Sequence, residues 1–387
     1  MKIAIDARCL QRSKGKGLGV ARVLVNLLKN IPTIGTGHEF VVYLSEDEDL
    51  LFDVDLSDPI FTKRVMKENR LTRYGLLWEN IVLPWALNRD RPDALLSPSY
   101  TTPLLFTDVP RFTIVHDISY RTLKGHFSLR HTLTFDIPSL LSCKVSRLVF
   151  TVSEFSKREI IKHYKIDGDK ISVVHSGVEG KFRPLEENKY RKLKVSGRDI
   201  PENYILYIGS IFNRRNVEKL LSAYGMLKKT DDPPALVIVG ENKTFPVIDI
   251  ESLIDKINSM PGGGKIFHLD FVGDEDLLSL YQQCEVFVYP SSYEGFGLPV
   301  LEALACGKPV ITGDSTCFTE IAGGDAVFVD PKDEGQIRGS LIKILKDDHF
   351  RTDLAARGLK RAALFDWGRS ATKYINIIEH ALGGGHN

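Results

Sequence analysis

The five cysteines of this 387-residue chain, Cys9, Cys143, Cys284, Cys306 and Cys317, include no Cys-x-x-Cys spacing. An odd, scattered set makes neither the disulfide framework of a small secreted domain nor the paired thiolates of a zinc site, so a reducing, cytoplasmic compartment is expected. An excess of one charge is missing as well. The 51 Lys and Arg stand against 50 Asp and Glu, a balance that argues against a nucleic-acid binder. No run approaches the ~18 uninterrupted apolar residues of a membrane span. Met1 leads directly into Lys2-Ile-Ala-Ile-Asp6, with no charged and then apolar leader between. A soluble chain is expected, free to touch a membrane surface. Gly15-Lys-Gly17-Leu-Gly19 lacks both the Gly-Lys-Ser/Thr ending of a phosphate-binding P-loop and the order of a dinucleotide glycine fingerprint.

What is present is a 43% hydrophobic content and enough length for two domains. Short apolar runs recur at 3–5, 40–44, 94–96, 112–115 and 148–152, separated by stretches of helical spacing such as 20–28 and 155–162. Such alternation predicts βαβ units on a parallel sheet. A second series follows at 204–208, 236–239, 266–272, 286–289, 310–312 and 327–329, so two α/β domains are expected, at 1–190 and 200–365. The charged stretch 179–203, with Lys189, Arg191, Lys192, Lys194 and Arg198, reads as the linker.

The most informative segment is 289–310, where a strand runs into Ser291-Ser-Tyr-Glu294-Gly295-Phe296-Gly297-Leu298 and then a short helix closed by Gly307 and Pro309. Glycines at the end of a strand let backbone approach a ligand, and the N–H groups around Phe296 to Val300 are placed to face a diphosphate. An unbroken helix would hold Glu294 and Glu302 about 12 Å apart, but the glycine turn lets both face one crevice. The plain alternatives are a first-turn Glu302 complementing the helix dipole and a solvated Glu294. Arg214 and Arg215, soon after Gly209, suit the stabilisation of a departing diphosphate, or else form a solvated charge cluster at a helix start. His116-Asp117 ends the strand at 112–115, where open α/β sheets place their ligands; a structural histidine stays open. Asp274-Glu-Asp276 spells a metal-binding Asp-x-Asp, yet the residues after it read as a helix whose N-terminus those acids complement. Asp53-Val-Asp55 lies in an acidic surface stretch. From Arg121 to His131, basic residues alternate with Leu123, Phe127 and Leu129, a pattern for an anionic lipid headgroup or for a mobile basic loop.

The segment from Glu294 to Glu302 resembles the E-x7-E signature of glycosyltransferase family 4, whose members have the GT-B fold. Tyr207-Ile-Gly209-Ser210-Ile-Phe-Asn-Arg214-Arg215-Asn216 is similar to the family's glycine strand followed by Arg-Lys-Asn, and 151–157 to the end of its N-terminal domain. Gly17-Leu-Gly19 matches its first glycine loop and Val115-His116-Asp117 its acceptor-side histidine. Arg215 replaces a common lysine, Ser210 a common arginine, and His175-Ser176-Gly177 a Pro-Asn-Gly.

The resemblance implies two facing Rossmann-like domains with an interdomain cleft, and a terminal helix at 366–387 that returns to the first domain. It implies a retaining hexosyltransferase that takes a nucleotide diphosphate sugar and no metal. In that scheme Arg214 and Arg215 hold the diphosphate with Gly17, Gly19, Gly209 and the Gly295-Phe296-Gly297-Leu298 turn. Glu302 meets the ribose, Glu294 the sugar, and His116 the sugar near the reacting centre. The motifs are most similar to those of bacterial mannosyltransferases of surface-polysaccharide assembly. GDP-mannose is therefore the lead donor, a UDP-sugar the second, and a saccharide or lipid-linked saccharide the acceptor. Peripheral membrane contact through 121–131 is expected with it. A sugar-nucleotide epimerase and a non-catalytic sugar-nucleotide-binding subunit are the rival readings.

Overall fold

Two parallel sheets organise the chain. The computed structural model describes residues 1–11, 18–45, 54–66, 77–123, 125–127, 129–186, 192–229, 231–314 and 316–383, with residues 18 and 129–131 described at the level of backbone. Two units separate. One comprises Met1–Thr122, Leu129–Gly177 and Asp366–Asn387, the other Leu123–Ser128 and Val178–Phe365.

The first unit holds β1 (Lys2–Asp6), β2 (Glu39–Leu44), β3 (Phe61–Val65), β4 (Ala94–Ser97), β5 (Arg111–Ile114), β6 (Leu148–Thr151) and β7 (Ile171–Val173), in the order β3-β2-β1-β4-β5-β6-β7. Central strands are apolar throughout because helices cover both faces. On one face Ile3, Ile5, Phe40, Val42, Leu96 and Phe112 pack with helix Leu18–Asn30 and with Ala371, Tyr374, Ile375 and Ile378 of helix Trp367–Ala381. On the other, Ala4, Val41, Tyr43 and Leu95 meet Trp78, Leu83, Ala86 and Leu87. Asp366 starts the terminal helix by accepting the Arg369 N–H at 2.8 Å. Phe150 meets Tyr374 edge-on at 4.7 Å. Gly177 fits because it has no side chain: a Cβ there would lie 2.3 Å from the Trp367 nitrogen.

The second unit contains β10 (Tyr204–Ile208), β11 (Ala235–Val239), β12 (Ile266–Leu269), β13 (Val286–Tyr289), β14 (Val310–Gly313) and β15 (Val327–Val329), ordered β12-β11-β10-β13-β14-β15. Both sheets thus reverse winding direction beside their first strand, between β1 and β4 and between β10 and β13, where open α/β sheets form a ligand crevice. The stretch read as a linker carries an antiparallel hairpin, β8 (Leu193–Val195) with β9 (Arg198–Ile200), whose Leu193, Val195 and Ile200 are buried within the second unit. Its alternation is only three residues long per strand, too short to register above the surrounding charge.

Candidate functional site

The switch point of the second unit is flanked by the loops that follow β10 and β13. Asn216 ties them together. It sits in the left-handed region at φ 50°, a conformation asparagine tolerates, and its Nδ2 donates to the Pro290 carbonyl at 2.8 Å, the Ser292 hydroxyl at 2.7 Å and the Arg214 carbonyl at 3.1 Å. The Ser292 N–H reaches the Arg214 carbonyl at 2.7 Å, closing the same junction. Gly209 completes it: at φ 140°, a Cβ would stand 2.8 Å from Arg215 Nη1 and 3.4 Å from the Tyr289 ring.

Against this junction lies a buried ion pair. Arg215 donates from Nε to Glu294 Oε1 at 2.7 Å and from Nη2 to Oε2 at 3.4 Å, while its Nη1 donates to the Ser210 carbonyl at 2.7 Å. The Tyr289 and Ser291 hydroxyls also donate to Glu294 Oε1, at 3.1 and 3.2 Å. Burial alone would raise the Glu294 pKa; the charge of Arg215, then that of Arg214, outweighs it and holds the carboxyl below its ordinary range. Burial also pushes the Tyr289 phenol well upward, so it serves as a fixed donor. Glu294 is therefore no solvated loop residue. Arg215 and Glu294 satisfy each other, and the neighbouring Arg214 has no ion-pair partner among the described residues. Its guanidinium lies over the Phe212 ring at 4.4 Å, with Nε buried and unbonded.

The glycine turn then enters helix Leu298–Ala305. Gly297 adopts φ 91°, and a Cβ there would strike the Phe318 ring at 2.6 Å. The expected row of free amides from Phe296 to Val300 is shorter than the sequence suggested. Pro299 has no N–H and Val300 N–H closes on the Gly297 carbonyl at 3.0 Å, which leaves the amides of Gly297 and Leu298 without a partner among the described residues. Glu302 is the fifth residue of the helix, so the first-turn dipole reading does not hold. It is only 4% exposed and accepts the Tyr281 hydroxyl at 2.8 Å.

His116 lies in the first unit, just beyond β5. It is buried, with Nε2 bonded to the Pro98 carbonyl at 2.9 Å and the ring edge-on to Tyr100 at 5.4 Å. Burial lowers its pKa, so the imidazole is neutral at pH 7 and presents Nδ1 as an acceptor. The Pro98 bond also fits the structural histidine. Gly17 lies outside the described residues; Gly19 is in the first turn of helix Leu18–Asn30. Asp274, Glu275 and Asp276 occupy the first turn of helix Asp274–Gln283, and Asp274 pairs with Lys181 at 3.3 Å. Asp53 lies outside the described residues. Of the basic stretch 121–131, Arg121 pairs with buried Asp136 at 2.8 Å. Gly125, His126 and Phe127 belong to the second unit, while Lys124, Ser128 and the side chains of Arg130 and His131 are outside the described residues. Sequence reasoning missed Tyr281, Tyr289 and Ser291 as carboxylate partners, and the junction role of Asn216; no local pattern around these residues signals those contacts.

Comparison with known proteins agrees on both halves. Residues 18–181 match the family model described as Glycosyltransferase Family 4, and 188–361 the model described as Glycosyl transferases group 1. The chain is 31% identical over 296 residues to O-antigen chain mannosyltransferase B of Escherichia coli, covering 76% of each protein. It is 28% identical over 280 residues to the serotype-specific mannosyltransferase WbdA of Escherichia coli, covering 71% of this chain and 34% of WbdA. Among solved structures, that of Anabaena HepE with UDP-glucose superposes with a TM-score of 0.70 at 15% identity, over 98% of this chain and all of that one.

Proposed function

The chain belongs to glycosyltransferase family 4 and has its GT-B fold, and from that premise we propose that it transfers mannose from GDP-mannose, with retention and without a bound metal, to a saccharide or lipid-linked saccharide. The observation that carries this reading is the Asn216 junction, which brings Arg214, the Arg215–Glu294 pair and the glycine turn to one switch point. Names of the relatives favour mannose and polysaccharide assembly.

In the proposed step the bond from the anomeric carbon to the diphosphate oxygen breaks, the acceptor oxygen bonds to that carbon on the same face, and the acceptor proton passes to the departing phosphate. Arg214, with no carboxylate partner among the described residues, meets the developing charge on the diphosphate together with the Gly297 and Leu298 amides. Arg215 orients Glu294 toward the sugar and shares its charge with the diphosphate when donor binds. Glu302 receives the ribose, and neutral His116 orients the transferred sugar. A UDP-sugar is the second reading, favoured by the UDP-glucose bound to HepE, a likeness that extends to the fold alone.

A panel of GDP- and UDP-sugars, scored for nucleotide release with and without saccharide acceptors and for product anomeric configuration by NMR, tests the proposal. Acceptor-dependent release from GDP-mannose with an α-linked product is expected. Acceptor-independent conversion of donor to an epimerised sugar would replace the proposal with an epimerase, and donor binding without turnover would replace it with a binding subunit.

A further inference from the structure

Helix Trp367–Ala381 covers only part of its sheet face. Its Tyr374 meets Phe150 of β6, and one strand further out Ser172 of edge strand β7 pairs in register with Phe150, so its side chain points to the same face. A serine fills little of the space beside the helix, and an open groove of about 660 Å³ remains. Leu148 and Ser172 line it from the sheet. Arg369, Lys373, Ile377 and Ala381, each one turn from the next, line it from the helix. All of these residues belong to the first unit.

Charge collects at this groove in a chain that is balanced overall. Arg369 and Lys373 are exposed and have no carboxylate partner among the described residues. Beside the lining residues, Arg147 donates to the Ala381 carbonyl at 3.1 Å and Lys170 to the Lys144 carbonyl at 2.6 Å, and neither meets a carboxylate among the described residues. Asp169 is the only acid that lines the groove among the described residues, so the local balance is positive.

Spacing along the helix selects the shape of the anion. Arg369 and Lys373 are separated by an axial rise of about 6 Å. Alternate side chains of an extended peptide repeat every ~6.6 Å, so acids at positions i and i+2 meet both cations while the residue between them turns away from the helix, toward Leu148. Past Lys373 the flank continues as Ile377 and Ala381, where an apolar residue fits. The span 369–381 rises about 18 Å, the length of five or six extended residues. A bilayer is a poorer match, because no lining residue is a large exposed apolar one; a nucleic acid is poorer too, because no aromatic ring lines the groove for a base to stack on. We propose that this groove binds an extended segment of a partner protein in which acidic and apolar residues alternate.

The test is fluorescence anisotropy of the full chain with a labelled octapeptide of alternating Asp and Val, beside an alternating Lys and Val octapeptide, octaglutamate and an oligothymidylate of the same length. The Asp-Val peptide should bind, and release as salt rises; the Lys-Val peptide should not bind, and octaglutamate should bind more weakly for want of apolar side chains. Arg369→Glu and Lys373→Glu should each weaken the Asp-Val peptide about tenfold. Ser172→Trp should block binding by filling the groove with its charge intact, and Asn376→Trp should do so from an exposed helix position, so that no single misfolded variant decides the outcome. Melting temperature and nucleoside-diphosphate affinity should stay at their wild-type values in the charge variants. No binding of the Asp-Val peptide up to about 1 mM, or binding that the four variants leave untouched, would overturn the proposal. Octaglutamate binding as tightly would reduce the site to general charge attraction and overturn it as well. So would tighter binding of oligothymidylate or of anionic vesicles that the same variants abolish, or a dimer in sedimentation velocity that Lys373→Glu converts to monomer, because a nucleic acid, a lipid surface or a second copy would then be the occupant.

Discussion

Glu294→Gln keeps the shape of a side chain and removes its charge from a site built around that charge. The carboxylate holds Arg215 at 2.7 and 3.4 Å, with the pair's side chains only 13% and 11% exposed. A hydrogen bond to a charged group contributes about 1.5–3 kcal/mol, and removing one member of a buried pair costs about 3–5 kcal/mol. The amide oxygen still accepts from Tyr289 or Ser291, so the expected loss is about 3 kcal/mol. At ~2–4 °C per kcal/mol for a domain of this size, calorimetry should show Tm falling by roughly 6–12 °C. Arg215→Gln alone should cost a comparable amount, and the double variant less than the sum, with a coupling of about 2 kcal/mol. Turnover should fall by a further ~2–4 kcal/mol in kcat, because the contact strengthens as charge develops on the sugar. Titration calorimetry with nucleoside diphosphate should find affinity nearly unchanged. A Tm within about a degree of wild type together with additive single variants would show that the pair contributes nothing. Intact kcat would remove Glu294 from the chemistry.

The other glutamate should behave in the opposite way. Glu302→Gln should weaken nucleoside-diphosphate binding and spare kcat at saturating donor, whereas Tyr281→Phe, which deletes the 2.8 Å bond to Glu302, should cost about 1 kcal/mol of stability. Because the Glu294 pKa is depressed in the folded protein, the unfolded chain binds more protons between the two values and stability rises with pH there. That contribution is complete above about pH 4.3 and disappears as pH falls through the lower folded value, so acid melting curves should be flatter in this window for Glu294→Gln than for wild type. EDTA should leave transfer intact; its abolition by chelator, restored by Mn²⁺ and mimicked by Asp274 or Asp276 variants, would move the leaving-group role from Arg214 to a metal.

Central strands were legible because both of their faces are buried, so 3–5, 112–115 and 204–208 read as apolar runs. The two strands of the first sheet that escaped, β3 and β7, are its edges. Only Phe61 of β3 is buried, while Lys63 and Arg64 face solvent, and period and composition both weaken there. At the site, glycines and charges were visible as types, since only glycine fits at 209 and 297. Their pairing was not. Nothing local in Arg214-Arg215 says which guanidinium takes Glu294, 79 residues away, and which stays without a carboxylate among the described residues; that depends on Asn216 pinning one loop to the other. Leu133, Ile137 and Leu141 have the spacing of a core stripe, and only the fold shows that the stripe points outward.

The return of helix Trp367–Ala381 to the first unit also orders events during synthesis. Residues 178–365, nearly all of the second unit, are made while the first unit still lacks Ala371, Tyr374, Ile375 and Ile378 from its core. At ~5–20 residues per second the wait is roughly ten to forty seconds. Throughout it, Phe150 and its neighbours have no Tyr374 to pack against. The half of the chain that leaves the ribosome first is therefore the half completed last, and a premature stop near residue 366 would damage the amino-terminal unit while sparing the one just made.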